Sequence, residues 1–123
     1  MTETRILIVE DDFLIRMTLA EALAEDGFTV VEASSGEEGV ALAAADPTIR
    51  LTALDFHLGG GLDGEAAAQA IRAERPDMPI LFMTGRPDAV RTRGQRDGLL
   101  RKPYRPSEAC AAVRSLLNEN TTP

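Results

Sequence analysis

The sequence predicts an α/β protein: one doubly wound, five-stranded parallel sheet with helices on both faces. Three observations predict it. Five short apolar, β-prone runs recur along the 123 residues. Most of the stretches between them switch to helical spacing, and polar residues capable of chemistry stand just past the carboxyl ends of the runs. Such alternation gives right-handed βαβ units and a parallel sheet covered on both faces. No internal repeat or linker interrupts the pattern, so residues 1–123 read as a single domain, with a polar tail from about residue 118.

Arg5–Val9 is nearly continuous in apolar residues, as a strand buried on both faces requires. It runs into three acids, Glu10, Asp11 and Asp12. From Phe13 to Asp26 the period becomes helical, with Ile15, Leu19, Ala22 and Leu23 on one face and Gly27 as the C-terminal cap. Phe28–Ala33 is the second strand. Ser35 and Glu38 have the spacing of a capping box and open a helix carrying Val40, Leu42 and Ala43, which Asp46-Pro47 ends.

Ile49–Leu54 is the third strand, and it delivers Asp55 into the loop Phe56-His57-Leu58-Gly59-Gly60-Gly61. Asp63 is placed to cap a helix running through Ala66, Ala70 and Ile71 to Arg75, where Pro76 stops it. Pro79–Met83 is the fourth strand, followed by Thr84-Gly85. Residues 86 to 98 are rich in Arg, Asp and Gly and hold at most a short helix near Asp88 to Arg93. Leu99-Leu100 is a brief fifth strand. It leads into Arg101-Lys102-Pro103-Tyr104, where Lys102-Pro103 is a candidate cis peptide that would aim the lysine back at the strand ends. The last helix, from about Pro106 to Leu117, buries Ala109, Ala112, Val113, Leu116 and Leu117.

Composition narrows the function classes. The net charge of −7 argues against a general binder of nucleic acid or of anionic membranes. The single cysteine, Cys110, forms no internal disulfide and sits in an apolar helical pattern, as a small core residue in a reducing compartment does. No apolar run approaches the roughly 18 residues of a membrane span, and Met1–Arg5 lacks the layout of a secretion signal. A cytoplasmic protein is expected.

In a doubly wound sheet the carboxyl ends of the strands share one edge. That edge collects Glu10, Asp11 and Asp12 after the first strand, Asp55 at the end of the third, Thr84 after the fourth and Lys102 after the fifth. Taken alone, Asp55 reads as a strand-end turn cap, which is the commoner use of Asp, and Thr84 as a β-branched residue closing a strand. Together they read otherwise. Carboxylates crowded into one crevice raise one another's pKa unless a cation joins them, and hard oxygen ligands at that density suit Mg²⁺. Lys102 is the only lysine among 13 basic residues; it brings a compact charge on a flexible stem, suited to a phosphate oxygen.

In their order and spacing, Val9-Glu10-Asp11-Asp12, Leu54-Asp55, Thr84-Gly85 and Lys102-Pro103-Tyr104 resemble the receiver domain of two-component response regulators, over essentially the whole chain. The resemblance implies a flavodoxin-like sheet of order 2-1-3-4-5. It implies that Asp55 accepts a phosphoryl group from a histidine kinase or a histidine phosphotransfer protein. Glu10 and Asp11 would hold Mg²⁺ with Asp55 and the backbone carbonyl of His57, Glu10 directly or through water. Thr84 and Lys102 would bind the phosphoryl oxygens, and Asp12 would lie in the first helical turn, where its charge suits the dipole.

The chain departs from that family's pattern in places. Leu99 stands where receivers carry the aromatic residue whose rotation reports phosphorylation, which leaves Tyr104, the only tyrosine, as a substitute reporter or as packing beside the Lys-Pro turn. The interval from Thr84 to Lys102 is about a helical turn shorter than usual, so the fourth helix is expected to be short, displaced or mobile. Phe82-Met83-Thr84-Gly85 resembles the Phe-Ala-Thr-Gly motif of a subgroup of single-domain bacterial receivers that often work with kinases of the HWE class. His57 and Arg86 occupy the positions that flank the phosphoryl group in receivers. His57 reads first as an exposed loop residue, next as a tuner of phosphoryl lifetime, and last as a relay histidine.

Residues 86 to 105 carry Arg86, Arg91, Arg93, Arg96, Arg101, Lys102 and Arg105 against Asp88 and Asp97. A solvated arginine-rich loop is the plain reading. As a functional patch it suits an acidic protein partner, and nucleic acid less well, because no aromatic residues are interleaved for stacking. The function expected is a stand-alone phospho-switch that alters protein–protein contacts through the strand-four to last-helix face and turns over no external substrate. Alternatives are a phosphorelay intermediate or phosphate sink, or a Mg²⁺-dependent phosphatase with Asp55 as nucleophile. The phosphatase reading lacks the second Asp that haloacid-dehalogenase-type enzymes place where His57 stands. A nucleotide-binding module is disfavoured by the absence of glycine after the first strand.

Overall fold

A computed structural model describes residues 3–91 and 94–121. The chain runs β1 (Arg5–Val9), α1 (Phe13–Glu25), β2 (Thr29–Ala33), α2 (Gly36–Ala45), β3 (Ile49–Asp55), α3 (Gly64–Glu74), β4 (Ile80–Thr84), a 3₁₀ turn (Pro87–Ala89), β5 (Gly98–Arg101) and α4 (Pro106–Thr121). All strand pairs are parallel, in the order β2-β1-β3-β4-β5. This is the expected doubly wound fold.

Strand alternation divides the core between the two faces. Leu7, Val9, Leu54, Ile80 and Phe82 pack towards α2 and α3, while Ile6, Ile8, Leu51, Ala53, Leu81 and Met83 pack towards α1 and α4. Ile49 and Leu51 have the same parity yet fall on opposite faces, because the β1–β3 register shifts by one residue at Arg50. Buried Cys110 belongs to the α1/α4 side.

Local chemistry sets the helix ends as the spacing predicts. The Oγ of Ser35 accepts from the Glu38 amide at 3.1 Å and Oδ1 of Asp63 from the Ala66 amide at 2.8 Å. Gly27 follows α1 with φ of +98°, a conformation that costs a glycine little. Asp12 differs from the expectation of a first-turn residue. It is the N-cap of α1, and its Oδ1 accepts from the Ile15 amide at 3.0 Å.

Other differences concern boundaries. Ile15 is 40% exposed rather than buried; of the predicted apolar face of α1, only Leu19 and Leu23 lie fully beneath the helix. The final helix does not stop at Leu117 but continues to Thr121, since helical hydrogen bonding does not require an apolar face. The short helix expected near Asp88 to Arg93 is a single 3₁₀ turn that begins earlier, at Pro87; Thr92 and Arg93 lie outside the described residues. The Lys102–Pro103 peptide bond is cis.

Among the described residues that turn is the only helical element between β4 and β5, and a polar clamp supports the connection. The buried carboxylate of Asp97 accepts from the amides of Ile80 (2.9 Å) and Gly94 (2.6 Å) and pairs with Arg72 of α3, whose guanidinium lies over the Phe82 ring. Asp97→Asn keeps an acceptor for one amide but removes the charge facing Arg72. It is expected to destabilise the fold by about 1.5–3 kcal/mol, the usual net worth of hydrogen bonds to a charged group. Urea unfolding measures this as a lower midpoint at unchanged slope.

Candidate phosphoacceptor site

The carboxyl ends of β1, β3, β4 and β5 bring together the side chains singled out in the sequence. Glu10, Asp55 and Thr84 are 1%, 3% and 0% exposed, whereas Asp11 is exposed. The Nζ of Lys102 donates to Oδ1 of Asp55 at 2.9 Å, and the His57 amide donates to the same oxygen at 3.0 Å. Parallel pairing holds these groups in place: the Phe56 amide donates to the Met83 carbonyl and the Lys102 amide to the Thr84 carbonyl. A Cβ on Gly64 would stand 2.4 Å from the Phe56 carbonyl oxygen, so only glycine lets α3 start this close to the loop that carries His57.

Glu10, Asp11 and Asp55 each offer a carboxylate oxygen, and the three oxygens lie within 4.8 Å of one another. The Oε2 of Glu10 accepts from the Asp12 amide at 3.1 Å, while its Oε1 is buried with no hydrogen-bond partner among the described residues. Burial pushes the Glu10 carboxyl up to about 8; the Asp12 amide offsets part of this, and the negative charge of Asp55 adds to it. Asp11 is held below the usual carboxylate range, chiefly by the Gly59 amide, which donates to its Oδ2 at 3.0 Å. An orphaned buried oxygen inside a set of hard oxygen donors fits a small divalent cation such as Mg²⁺. The donors on hand are Glu10, Asp11 and Asp55, with the His57 carbonyl on the adjoining loop.

The Thr84 hydroxyl is held by His57 and the loop after β4: Oγ1 lies 2.8 Å from the His57 Nε2 and accepts from the Arg86 amide at 2.9 Å. Arg86 is exposed, and it is its backbone that takes part. Leu99 packs on the α2/α3 side of the sheet and Tyr104 on the α1/α4 side. Its half-buried ring rests beside the Lys-Pro turn. Burial, and then the charges of Glu10 and Asp55, push its hydroxyl up to about 12.

Two features escaped sequence reasoning. The Gly59 amide on Asp11 and the close approach at Gly64 depend on the path of the loop, and only the density of glycine from 59 to 64 hinted at them. Beside the site lies a groove of about 540 Å³ lined by Leu14, Ile15, Leu19, Lys102, Pro103 and Tyr104, among others. Phe13, Leu14, Ile15 and Met17 stand exposed on α1, and of these Leu14 and Ile15 line the groove. Arg86, Arg91, Arg96, Arg101 and Arg105 are all exposed; Arg93 lies outside the described residues. No helix among the described residues is long and apolar enough to cross a membrane.

Comparison with known proteins points the same way. A family model described as the response regulator receiver domain matches residues 6–114. The response regulator MprA of Mycolicibacterium vanbaalenii is 34% identical over 122 residues, covering 95% of this chain and 52% of that protein. The probable transcriptional regulator ycf27 of Cyanophora paradoxa is 34% identical over 127 residues, covering 100% and 52%. The chain thus spans about half the length of these curated relatives. Among solved structures, a response regulator receiver protein from Sinorhizobium medicae superposes with a TM-score of 0.87 at 24% identity, covering 96% of this chain and 97% of that one. The receiver domain of the hybrid histidine kinase CckA gives 0.79 at 29% identity, covering 92% and 98%.

Proposed function

The chain belongs to the response regulator receiver family of two-component systems, and from that premise we propose that Asp55 is its phosphoacceptor, working with Mg²⁺. One observation carries the reading: the buried Asp55 carboxylate is paired with Lys102, and Glu10, carrying an orphaned oxygen, and Asp11 complete an acid cluster around it. The donor is the phosphohistidine of a histidine kinase or of a histidine phosphotransfer protein, and the resemblance of Phe82-Met83-Thr84-Gly85 to the Phe-Ala-Thr-Gly motif favours a kinase of the HWE class. The exposed apolar side chains on α1 give such a protein a surface to dock against.

Oδ1 of Asp55 already takes two hydrogen bonds, so Oδ2 is the attacking oxygen. As its O–P bond forms, the N–P bond of the donor breaks and the electron pair returns to the donor imidazole. Bound at Glu10, Asp11, Asp55 and the His57 carbonyl, Mg²⁺ supplies charge neutralisation. Lys102 offsets charge on one phosphoryl oxygen, and Thr84 turns from His57 to donate to another, drawing the loop after β4 with it. His57 and Arg86, flanking the site, govern the access of hydrolytic water.

The output is a change in protein–protein contacts through the β4–α4 face. Leu99 provides no aromatic relay there, and the exposed arginines of residues 86 to 105 offer an acidic partner a docking surface. On this reading residues 1–123 serve as one cytoplasmic receiver domain that catalyses only its own phosphorylation and dephosphorylation. Incubation with a small phosphodonor and Mg²⁺ tests the proposal. The intact mass is expected to rise by one phosphoryl group in the wild type and to stay unchanged in Asp55→Asn. A gain of equal size in the variant would overturn it.

A further inference from the structure

We propose that His57 is a positioning residue for Thr84. Its imidazole holds the Thr84 hydroxyl proton in the resting protein, so the phosphoryl group has to win that proton from His57 before the switch can be thrown. The inference rests on the reading of Asp55 as phosphoacceptor.

A threonine hydroxyl has one proton to give and two lone pairs to offer. Thr84 is fully buried, and a buried hydroxyl is expected to spend its proton on an acceptor. One lone pair of Oγ1 is engaged by the Arg86 amide at 2.9 Å. The other partner, His57 Nε2 at 2.8 Å, is an acceptor when the imidazole carries its own proton on Nδ1. That arrangement satisfies the whole hydroxyl. The reverse, with Nε2 donating, leaves the buried proton with no acceptor among the described residues.

Packing fixes the ring for this task. The His57 amide is tied to Oδ1 of Asp55 at 3.0 Å. The imidazole meets the Phe56 ring edge-on at 5.4 Å, and Phe56 in turn meets the buried Phe82 at 6.0 Å. The residue reads as an exposed loop position in sequence and is exposed, with its ring lying edge-on to Phe56.

A phosphoryl oxygen is an acceptor only, so it and Nε2 compete for the same proton. The bond is present in the resting arrangement and absent in the phosphorylated one, and removing it therefore favours the phosphorylated arrangement. The net worth of a neutral hydrogen bond corresponds to about 2- to 10-fold in an equilibrium constant. His57→Ala is thus expected to bind beryllium fluoride, a phosphoryl mimic, about 2- to 10-fold more tightly than wild type in the presence of Mg²⁺. His57→Gln, whose amide oxygen accepts at a similar reach, is expected to restore near-wild-type affinity.

The experiment is a fluoride-complex titration of wild type, both His57 variants, Thr84→Ala and the His57→Ala/Thr84→Ala double variant, followed by NMR. The proposal expects the His57→Ala gain to vanish in the Thr84→Ala background. It also expects the wild-type imidazole ¹⁵N shifts to show the proton on Nδ1. Equilibrium binding of the mimic does not depend on hydrolysis, so an effect on phosphoryl lifetime does not imitate this result. A wild type that binds the mimic with no dependence on His57, or an Nε2–H tautomer in the resting protein, overturns the latch alone. A wild type that neither binds the mimic nor accepts phosphate overturns the Asp55 reading, and the latch with it.

Discussion

Lys102→Met is expected to slow phosphorylation of the protein by a small phosphodonor about 10²- to 10³-fold, the usual cost of removing one preorganised donor from a transition state in which charge builds on oxygen. Lys102 is the only lysine of the chain, and its Nζ sits 2.9 Å from Oδ1 of a carboxylate that is itself nearly inaccessible to water. Glu10 and Asp11 crowd the same space. Without the ammonium, the incoming phosphoryl group loses the cation paired with Asp55 and faces the clustered carboxylates of Glu10, Asp11 and Asp55. Lys102→Arg is not expected to rescue the rate, because a planar guanidinium does not fit where a compact ammonium on a flexible stem fits. Initial rates from intact mass spectra measure the effect; rates within a fewfold of wild type for Lys102→Met would contradict the role.

Phe82→Ala is expected to remove about 3–5 kcal/mol of folding stability, a large share of what a domain of this size possesses. Phe82 is 1% exposed on a central strand. It fills the α2/α3 side of the core, takes the edge of Phe56 and lies under the Arg72 guanidinium. Truncation opens a cavity where three elements meet and also loosens the base on which the His57 loop rests. Phe82→Leu, which keeps most of the volume, is expected to cost far less. Urea titration followed by circular dichroism checks both, and a Phe82→Ala midpoint equal to that of wild type would contradict the assignment of this core.

Much of the fold is legible in sequence because a parallel sheet buried on both faces demands nearly continuous apolar strands. Ile6–Val9 and Ile80–Met83 have no other good interpretation, and the caps at Ser35 and Asp63 are local chemistry that needs no tertiary context. The residues of the site are legible for a related reason. The carboxyl ends of Arg5–Val9, Ile49–Asp55, Ile80–Thr84 and Gly98–Arg101 lie on one edge, so polar residues at those ends meet. What escapes is what periodicity does not encode. Ile15 shares a helical face with Leu19, but that face runs out beyond the core and into the groove beside Pro103 and Tyr104. Asp97 reads as one acid in an arginine-rich loop, and only the fold turns it inward to hold Ile80 and Arg72. The contact between His57 and Thr84 joins residues 27 positions apart, one on the loop after β3 and the other at the end of β4, and nothing local to either announces it.

The central claim is that Asp55 carries the phosphoryl group, and trapping the acyl phosphate in place tests it most directly. Borohydride reduces an aspartyl phosphate to homoserine without touching an unmodified carboxylate, so treatment of the phosphorylated wild-type protein, followed by peptide mapping, marks the acceptor. The expected result is homoserine at Asp55 alone, formed only when phosphodonor and Mg²⁺ are both supplied. Homoserine at Asp11 or Asp12 with Asp55 intact, or phosphate retained on His57, would contradict it.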